Sequence, residues 1–237
     1  MAASIFSDSD FSLSILSDCP LFSETSEEEI RLMLNCLGAY RKKYKKEEAI
    51  FHAGDIIHTL GIVLSGSVHI EINDFWGNKS ILNHIRPGGI FAEAYACVPS
   101  QPMLVNAVAA SPAEILFLDV RKILQICSNS CSFHSRLICR LVSITAQKNL
   151  QLSQRILHTA PKTIRERLIS YLSAQSLLLG QKSFSIPFNR QQLADYLNVD
   201  RSALSNELSK MQKDGILKYN KNHFELCQNL LSGLITG

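Results

Sequence analysis

The sequence lacks the cysteine spacing that a zinc ribbon or a disulfide framework needs. Its seven cysteines are an odd number and include no CxxC pair, so neither class is expected. Most of them should be small buried hydrophobic residues. Cys127 and Cys131 stand four apart and could share a helix face as a thiol sensor. A core role is favoured, because no cationic neighbour would lower their pKa.

No apolar run is long enough to cross a membrane. Residues 94–113 carry no charge, but prolines at positions 99, 102 and 112 interrupt them, so no spanning helix is expected. The N-terminus has no basic region ahead of an apolar core, and its serines and aspartates argue against a secretory signal. We therefore expect a cytoplasmic protein without a membrane partner.

Catalytic signatures are also missing. There is no GxSxG motif, and Gly88 with Gly89 is too little glycine for a phosphate-binding loop. A metal-dependent cupin-like enzyme or sensor with an appended DNA-binding domain is the alternative from another class. Histidines do occur in the predicted β region, but the His-x-His pair of a cupin is absent. We expect no enzyme, no metal site and no identified cofactor.

The chain is long enough for two modest domains, and its net charge is distributed unevenly along the sequence. It has 237 residues, 46% hydrophobic and 19% charged, which is ordinary for a globular protein. Residues 161–237 hold 10 Lys and Arg against 6 Asp and Glu, a net charge of +4. Residues 1–160 hold 14 against 15, a net charge of −1. The basic excess therefore lies entirely in the C-terminal part, where a polyanion could bind.

That basic part contains two short predicted helices joined by a tight turn. Asn189 can cap the first helix together with Gln192, and this helix should end near Leu197. Asn198 tolerates the positive φ of a sharp turn. Asp200 can cap the second helix.

The second helix should have one apolar and one polar face. Leu204, Leu208 and Met211 recur at helical spacing and should point inward. Residues 216–219 and 223–226 predict a two-stranded wing. Small polar groups and cations on an exposed face suit base edges and phosphates. The predicted DNA-binding residues are Arg190, Gln191, Arg201, Ser202, Ser205, Asn206, Lys210 and Lys221. The alternative is a helical hairpin that packs on its own domain and binds nothing.

The N-terminal part predicts a helix followed by a β-roll. Ser26 and Glu29 form a capping box for a helix that continues to Leu37. Short apolar segments then alternate with turn signals about every ten residues, as in an all-β roll. The clearest strands are residues 62–64, 68–72, 81–85, 104–108 and 115–118. The basic run at 41–46 is interpreted as a solvated edge.

Between the roll and the hairpin the pattern becomes one long helix, residues 133–156. We interpret its apolar seam as a dimer interface, because a two-fold symmetric dimer has two DNA-binding domains and can contact two half-sites of a DNA site. The seam residues are Phe133, Leu137, Leu141, Ile144 and Leu152. Predicted boundaries are a flexible lead at 1–18, a sensor roll at 19–127, the connecting helix at 128–160, and a winged helix-turn-helix domain at 161–237.

Taken together, the chain from about Cys19 to Leu226 resembles the Crp/Fnr family of bacterial transcription regulators. The resemblance rests on the order and spacing of residues 50–55 (IFHAGD), 63–68 (VLSGSV), 87–93 (PGGIFAE) and 200–205 (DRSALS). It implies an α+β fold, with a double-stranded β-helix (jelly-roll-like) sensor, a dimerisation helix and a winged helix-turn-helix. It further implies a homodimer whose two reader helices enter successive major grooves of a palindromic DNA site. RNA polymerase is a further expected partner.

By this resemblance, Arg201, Ser202 and Asn206 occupy the base-reading positions, with Ser205 beside them. Asn206 departs from the family, where arginine is common at this position. Asparagine pairs best with adenine, so we expect an altered preferred site.

The resemblance also implies an effector site in the roll. Glu93 matches the glutamate that holds a ribose in the cyclic-nucleotide-binding members. The phosphate clamp of those members would fall near Gln101–Met103, where there is no cation and Pro102 has no N–H. We therefore expect a small-molecule or redox signal other than cyclic AMP, with an apolar or aromatic ligand as one option. The predicted effector-binding residues are Gly88, Gly89, Phe91, Ala92, Glu93, Tyr95, Gln101 and Met103.

Overall fold

A computed structural model describes residues 12–73, 79–98, 100–124 and 132–227. The chain divides into two units, Met1–Gln147 and Lys148–Gly237. Helix α5 (Ser132–Thr159) is continuous through this division, so its last turns belong to the second unit. Cys127 and Cys131, weighed above as a thiol pair, lie outside the described residues, and so does the side chain of Phe133.

The first unit contains two antiparallel four-stranded sheets. Their strands are β1 (Tyr40–Tyr44), β2 (Ala49–Phe51), β3 (Thr59–Ser65), β4 (Val68–Asn73), β5 (Lys79–Ile85), β6 (Ile90–Phe91), β7 (Asn106–Ala109) and β8 (Ala113–Asp119). The strand orders are β1-β8-β3-β6 and β2-β7-β4-β5. The predicted strands are confirmed, although β7 begins two residues later than its apolar run suggested.

Aromatic side chains fill the space between the two sheets. The ring of Phe51 lies 6.2 Å from Phe91 and 5.7 Å from Phe117, centroid to centroid. Gly61 makes room for this cluster, because a Cβ at this position would lie 2.3 Å from the Phe91 ring. The β3 strand thus needs a residue without a side chain there.

The other face of the β1-β8-β3-β6 sheet is covered by helices, so this sheet is buried on both sides. The first-unit helices are α1 (Ser12–Ser17), α2 (Glu27–Cys36), α3 (Glu93–Cys97) and α4 (Val120–Leu124). The predicted capping box of α2 is confirmed at Ser26 and Glu29. Leu13 and Leu16 of α1 are fully buried in this core. The flexible lead predicted for residues 1–18 is therefore wrong from residue 12 onward, and residues 1–11 lie outside the described part.

Helix α5 adds its apolar seam to the same core. Leu137, Leu141 and Ile144 belong to the core cluster that α1, α2 and this sheet share, and all three are at least 92% buried. Their assignment to a dimer interface is corrected, because their own protomer already covers them. Leu152, in contrast, is 61% exposed.

The second unit joins the end of α5 to a small winged domain. Its elements are α6 (Ile164–Leu179), β9 (Ser183–Ser185), α7 (Arg190–Leu197), α8 (Arg201–Lys213), β10 (Leu217–Asn220) and β11 (His223–Leu226). The three strands form one antiparallel sheet in the order β10-β11-β9. The two-stranded wing is confirmed, and β9 is a third strand that the pattern did not reveal. Across the described ranges, no helix combines the length and apolar character that a membrane span requires.

Candidate nucleic-acid interface and effector site

The turn between α7 and α8 is built by local hydrogen bonds, as the sequence predicted. The Asn189 side chain accepts from the N–H of Gln192 at 2.9 Å, and the Gln192 side chain accepts from the N–H of Asn189 at 2.9 Å. This capping box starts α7. Asn198 ends the helix with a φ of 53°, in the left-handed region. The chain thereby reverses within three residues and enters α8.

Asp200 fixes the start of α8. Its carboxylate accepts the N–H of Ser202 at 2.8 Å and the N–H of Ala203 at 2.9 Å. The Ser202 hydroxyl also donates to it. These hydrogen bonds, the Ser202 hydroxyl first, lower the pKa of the Asp200 carboxyl. An ionised Asp200 also stabilises the positive end of the helix dipole.

Two arginines of α6 hold the hairpin in place. Arg165 forms ion pairs with Glu207 at 2.6 Å and with Asp214 at 2.7 Å. Arg167 donates to the carbonyls of Leu197 at 3.1 Å and Asn198 at 3.0 Å. Local sequence patterns do not reveal these contacts, because the partners stand 30 or more residues apart.

The outward face of α8 keeps three long side chains free of the rest of the domain. Arg201, Asn206 and Lys210 are exposed, and their side chains form no hydrogen bond with another described residue. Beneath them, the inward residues of α8 are fully buried. The Ser205 hydroxyl donates to the carbonyl of Arg201 at 2.9 Å. The face therefore offers a guanidinium, an amide and an ammonium on a rigid helix.

Arg190, predicted to contact DNA, joins α7 to the wing. Its guanidinium lies 5.0 Å from the centre of the Tyr219 ring and 6.0 Å from that of Phe224. It also donates to the carbonyl of Lys221 at 3.1 Å. Burial lowers the pKa of Arg190. These contacts hold one side of the guanidinium against the wing, while its Nη1 is buried without a hydrogen-bond partner among the described residues, and a DNA contact of Arg190 stays a prediction.

The two remaining predicted contacts lie on exposed turns of the same surface. Gln191 is exposed at the start of α7, and its amide donates to Asp195 at 2.8 Å. Lys221 occupies the tip of the wing with a φ of 54°. Lys221 remains a candidate for a phosphate contact.

The last turns of α5 are bound to α7. Arg155 donates to the carbonyl of Tyr196 at 3.1 Å and to that of Asp195 at 3.0 Å. His158 is buried, and its Nδ1 lies 2.9 Å from the Tyr196 hydroxyl. Sequence reasoning missed these contacts, which fix residues 155–158 to the helical hairpin.

In the first unit, the glycine turn and α3 bring part of the predicted effector site together. Gly88 has a φ of 80°, and a Cβ on Gly89 would lie 2.6 Å from the Ile85 side chain. Ala92 has a φ of 63°, and it turns the chain into α3 so that Glu93 is buried at the first helical position. Glu93 and Tyr95 both lie on α3, two positions apart.

Residues 101–104, where the phosphate clamp would fall, have no free backbone N–H for a phosphate. The N–H of Gln101 donates to the carbonyl of Val98 at 3.3 Å, and that of Met103 to the carbonyl of Asp55 at 2.9 Å. The N–H of Leu104 donates to the Tyr95 hydroxyl at 3.3 Å. Pro102 has no N–H at all. Within residues 101–104, every backbone amide is therefore absent or already engaged.

Two predicted effector residues belong to the core instead. Phe91 and Met103 are each 2% exposed, and Phe91 packs against Gly61 and Phe51. We correct both to structural positions. Gln101 is exposed at the edge of the loop and Tyr95 is half-buried, so these two stay candidates.

The cysteines are less buried than the sequence predicted, since of the five that the structure describes only Cys19 is buried, while Cys36, Cys139 and Cys227 are exposed. Burial raises the pKa of the Cys19 thiol to about 11, which disfavours the reactive thiolate. Burial also raises the pKa of Cys97. The described residues hold no group of three or more His, Cys, Asp or Glu side chains suited to a metal ion.

Comparison with known proteins gives two domain matches. Residues 41–130 match the cyclic nucleotide-binding domain model, and residues 166–228 match the Crp-like helix-turn-helix domain model. Together they take up more than half of the chain. The order of the two domains agrees with the order of the two units in the structure.

Full-length relatives extend this similarity. The chain is 21% identical over 175 residues to the cAMP-activated global transcriptional regulator CRP of Pasteurella multocida, covering 74% of this chain and 84% of that protein. It is 24% identical over 190 residues to the CRP-like protein Clp of Xanthomonas campestris pv. campestris, covering 76% and 80%.

Solved structures share the fold. A cyclic nucleotide-binding domain from Methylobacillus flagellatus has a TM-score of 0.51 and 20% identity, covering 61% of this chain and 80% of that one. The c-di-GMP-responsive global regulator CLP of Xanthomonas campestris has a TM-score of 0.50 and 20% identity, covering 84% and 98%. At such identities these likenesses support the fold alone.

Proposed function

Because this chain belongs to the Crp/Fnr family of transcription regulators, with a cyclic nucleotide-binding-type domain and a Crp-like DNA-binding domain, we propose that it acts as a homodimer. The dimer binds a palindromic operator. An effector other than cyclic AMP controls this binding. Its curated relatives are regulators and not enzymes. The cupin-like enzyme alternative is therefore wrong. RNA polymerase is the proposed partner of the DNA-bound dimer.

The observation that carries the proposed DNA readout is the free polar face of α8. Arg201 and Asn206 have the chemistry for base edges, since arginine pairs with guanine and asparagine with adenine. Lys210 and Lys221 supply cations suited to phosphates, which add affinity but no sequence preference. Ser205 has its hydroxyl engaged by its own helix, so it contributes shape more than hydrogen bonding.

The proposed dimer uses the face of α5 that the protomer leaves uncovered. Val142, Leu152 and Ile156 are 59%, 61% and 65% exposed. With Asn149 they stand at positions 142, 149, 152 and 156, which correspond to a, a, d and a of a heptad repeat, and Thr145 occupies the remaining d position. A polar asparagine at an a position favours a two-stranded, in-register pairing. The seam is therefore Val142, Asn149, Leu152 and Ile156, of which the sequence analysis named only Leu152.

The proposal of an effector other than cyclic AMP rests on the loop at residues 101–104. A bound phosphate needs donors and countercharge, and here the backbone amides are engaged and no cation is present. Glu93, Tyr95 and Gln101 remain as polar groups of the proposed site. As a mechanism, effector binding near Glu93 would change how the α5 helices pair and thereby the separation of the two readers.

The DNA proposal is tested by selecting binding sites from random duplexes with the purified protein. We expect an inverted repeat whose half-sites lie about one helical turn apart. With Asn206→Ala, one base pair in each half-site should lose its preference, at a cost of about 1–3 kcal/mol. Gln181→Ala, which removes an exposed amide beyond α6, should select the same site as the wild type. Uniform weakening on every sequence with Asn206→Ala would contradict direct readout.

The effector proposal is tested separately by calorimetric titration with cyclic AMP. We expect no saturable binding that depends on Glu93, judged by comparing the wild type with Glu93→Gln, at concentrations of about 1 mM, which corresponds to a binding free energy weaker than about −4.1 kcal/mol. Micromolar binding that Glu93→Gln weakens would overturn this part of the proposal and leave the DNA readout intact.

A further inference from the structure

A cavity of about 310 Å³ lies in the second unit, where the last turns of α5 meet α6 and the segment that leads into α7. Its walls include Gln151, Gln154, Tyr171, Gln175, Phe188 and Tyr196. The volume is at the small end of the range for ligand pockets. This cavity takes no part in the proposed DNA readout or in the effector site of the roll.

Aromatic rings form one side of the cavity. The ring centre of Tyr196 lies 5.3 Å from that of Tyr171 and 5.1 Å from that of Phe188. His158 supports the cluster from within the domain, with its ring 5.4 Å from Tyr171 and its Nδ1 2.9 Å from the Tyr196 hydroxyl. Because Tyr171 and His158 are buried, the rings are held in place before any ligand arrives. A preorganised π-surface binds flat aromatic molecules well.

Three glutamines supply the polar groups of the cavity. The side-chain amides of Gln151, Gln154 and Gln175 make no hydrogen bond with other described residues. Each amide presents a carbonyl acceptor next to an NH₂ donor. Such a pair can bind the adjacent donor and acceptor on the edge of a purine, most closely that of adenine.

The walls of the cavity carry no net charge. Burial raises the pKa of both Tyr171 and Tyr196, so both phenols stay neutral. Burial also lowers the pKa of His158, which favours the neutral imidazole. Arg155 does not line the cavity, and it donates to the backbone carbonyls of Tyr196 and Asp195. Nothing in the cavity therefore selects a charged ligand.

We propose that this cavity is a second small-molecule site, which binds a neutral planar heteroaromatic group of purine size by stacking on Phe188 and Tyr196 and by hydrogen bonds to Gln151 and Gln154. Such a ligand contacts α5 and α7 at once. It stabilises the arrangement that Arg155 and His158 already maintain between these helices. Occupancy should therefore raise the melting temperature of the second unit by mass action.

The test uses adenosine as the probe, titrated into the full-length protein by calorimetry without DNA. The comparison is a double variant, Gln151→Ala with Gln154→Ala. Both positions are exposed on α5, and alanine favours the helix, so the variant should fold. Gln181→Ala is the control, because it removes an exposed glutamine of the same unit that does not line the cavity.

We expect the double variant to lose about tenfold in adenosine affinity, which corresponds to about one hydrogen bond, while the control keeps wild-type affinity. Adenosine monophosphate should bind as adenosine does, since the cavity offers its phosphate no cation. Cytidine should bind more weakly because its ring stacks over a smaller area. Failure of adenosine to saturate the wild type, or equal affinity in the double variant, would overturn the proposal.

DNA affinity is measured on the same preparations. A wild type that binds operator but not adenosine overturns the cavity proposal alone. A wild type that binds adenosine but shows no specific DNA binding overturns the proposed DNA readout alone.

Discussion

Leu141 and Leu152 form a matched pair that tests which face of α5 is available for dimerisation. They are the same residue type on one helix, but Leu141 is 2% exposed and Leu152 is 61% exposed in the protomer. Replacing Leu141 with alanine empties part of the core between α5 and the sheet. We expect the free energy of unfolding of the first unit to fall by about 3–5 kcal/mol, from lost transfer energy and the cavity left behind.

Leu152→Ala should behave in the opposite way. Because the side chain is exposed in the protomer, the stability of the monomer should change by less than about 0.5 kcal/mol. In a two-fold dimer, however, two copies are lost, each worth about 1.5 kcal/mol at the low end. The total of about 3 kcal/mol corresponds to a dimer dissociation constant about a hundredfold weaker.

Sedimentation equilibrium over a range of protein concentrations measures dimerisation. Urea unfolding, carried out where the monomer dominates, measures the stability of the protomer. The reasoning is refuted if Leu152→Ala leaves the dimer constant unchanged. It is equally refuted if Leu141→Ala weakens the dimer without lowering the urea midpoint.

Three further predictions follow from other contacts. Lys210→Ala should weaken binding to all DNA sequences alike and lower the salt slope of log affinity by about 1, measured by fluorescence anisotropy; a sequence-dependent loss would contradict a phosphate contact. Arg190→Ala should lower the urea midpoint of the second unit, through about 2 kcal/mol from the lost charged hydrogen bond to Lys221 and the lost cation–π contacts; an unchanged midpoint would contradict a stabilising role for these contacts. Burial lowers the pKa of His158 below its usual 6.5. The contribution of neutral His158 to the free energy of unfolding should therefore be complete above about pH 6.5 and be lost as the pH falls through the lowered pKa. In His158→Phe, urea midpoints measured at several pH values should lose this dependence, and an unaltered slope would assign it to another group.

The helical hairpin could be predicted in detail because its signals are local. Asn189, Gln192, Asn198 and Asp200 each act within three residues of their own position. Such caps and turns depend on backbone geometry that the sequence specifies directly. The inward positions of α8 were predicted for the same reason, since helical spacing defines a face.

The proposed dimer seam could not be predicted, because spacing defines a face but not what covers it. Leu137, Leu141 and Ile144 form the most regular apolar stripe of α5, and the core of their own protomer buries it. The stripe at 142-149-152-156 is weaker in sequence because Asn149 interrupts it.

The effector site was only partly predictable for a related reason. Phe91 lies two positions before Glu93 in sequence. Its side chain nevertheless packs between the two sheets, where Gly61 leaves room for the ring. The engaged amides of residues 101–104 depend on Tyr95 and on Asp55, which lies 48 positions before Met103. Contacts at such separations leave no mark on local sequence patterns.

The attachment of Arg155 and His158 to α7 has a consequence for how this protein could be rebuilt. The last two turns of α5 belong physically to the reader, and the chain divides at Gln147 and Lys148 rather than at Pro161. A chimera that grafts this reader onto another sensor should therefore join within the helix, ahead of residue 148. A junction placed at Pro161 would remove Arg155 and His158, which hydrogen-bond to residues of α7, from the DNA-binding unit.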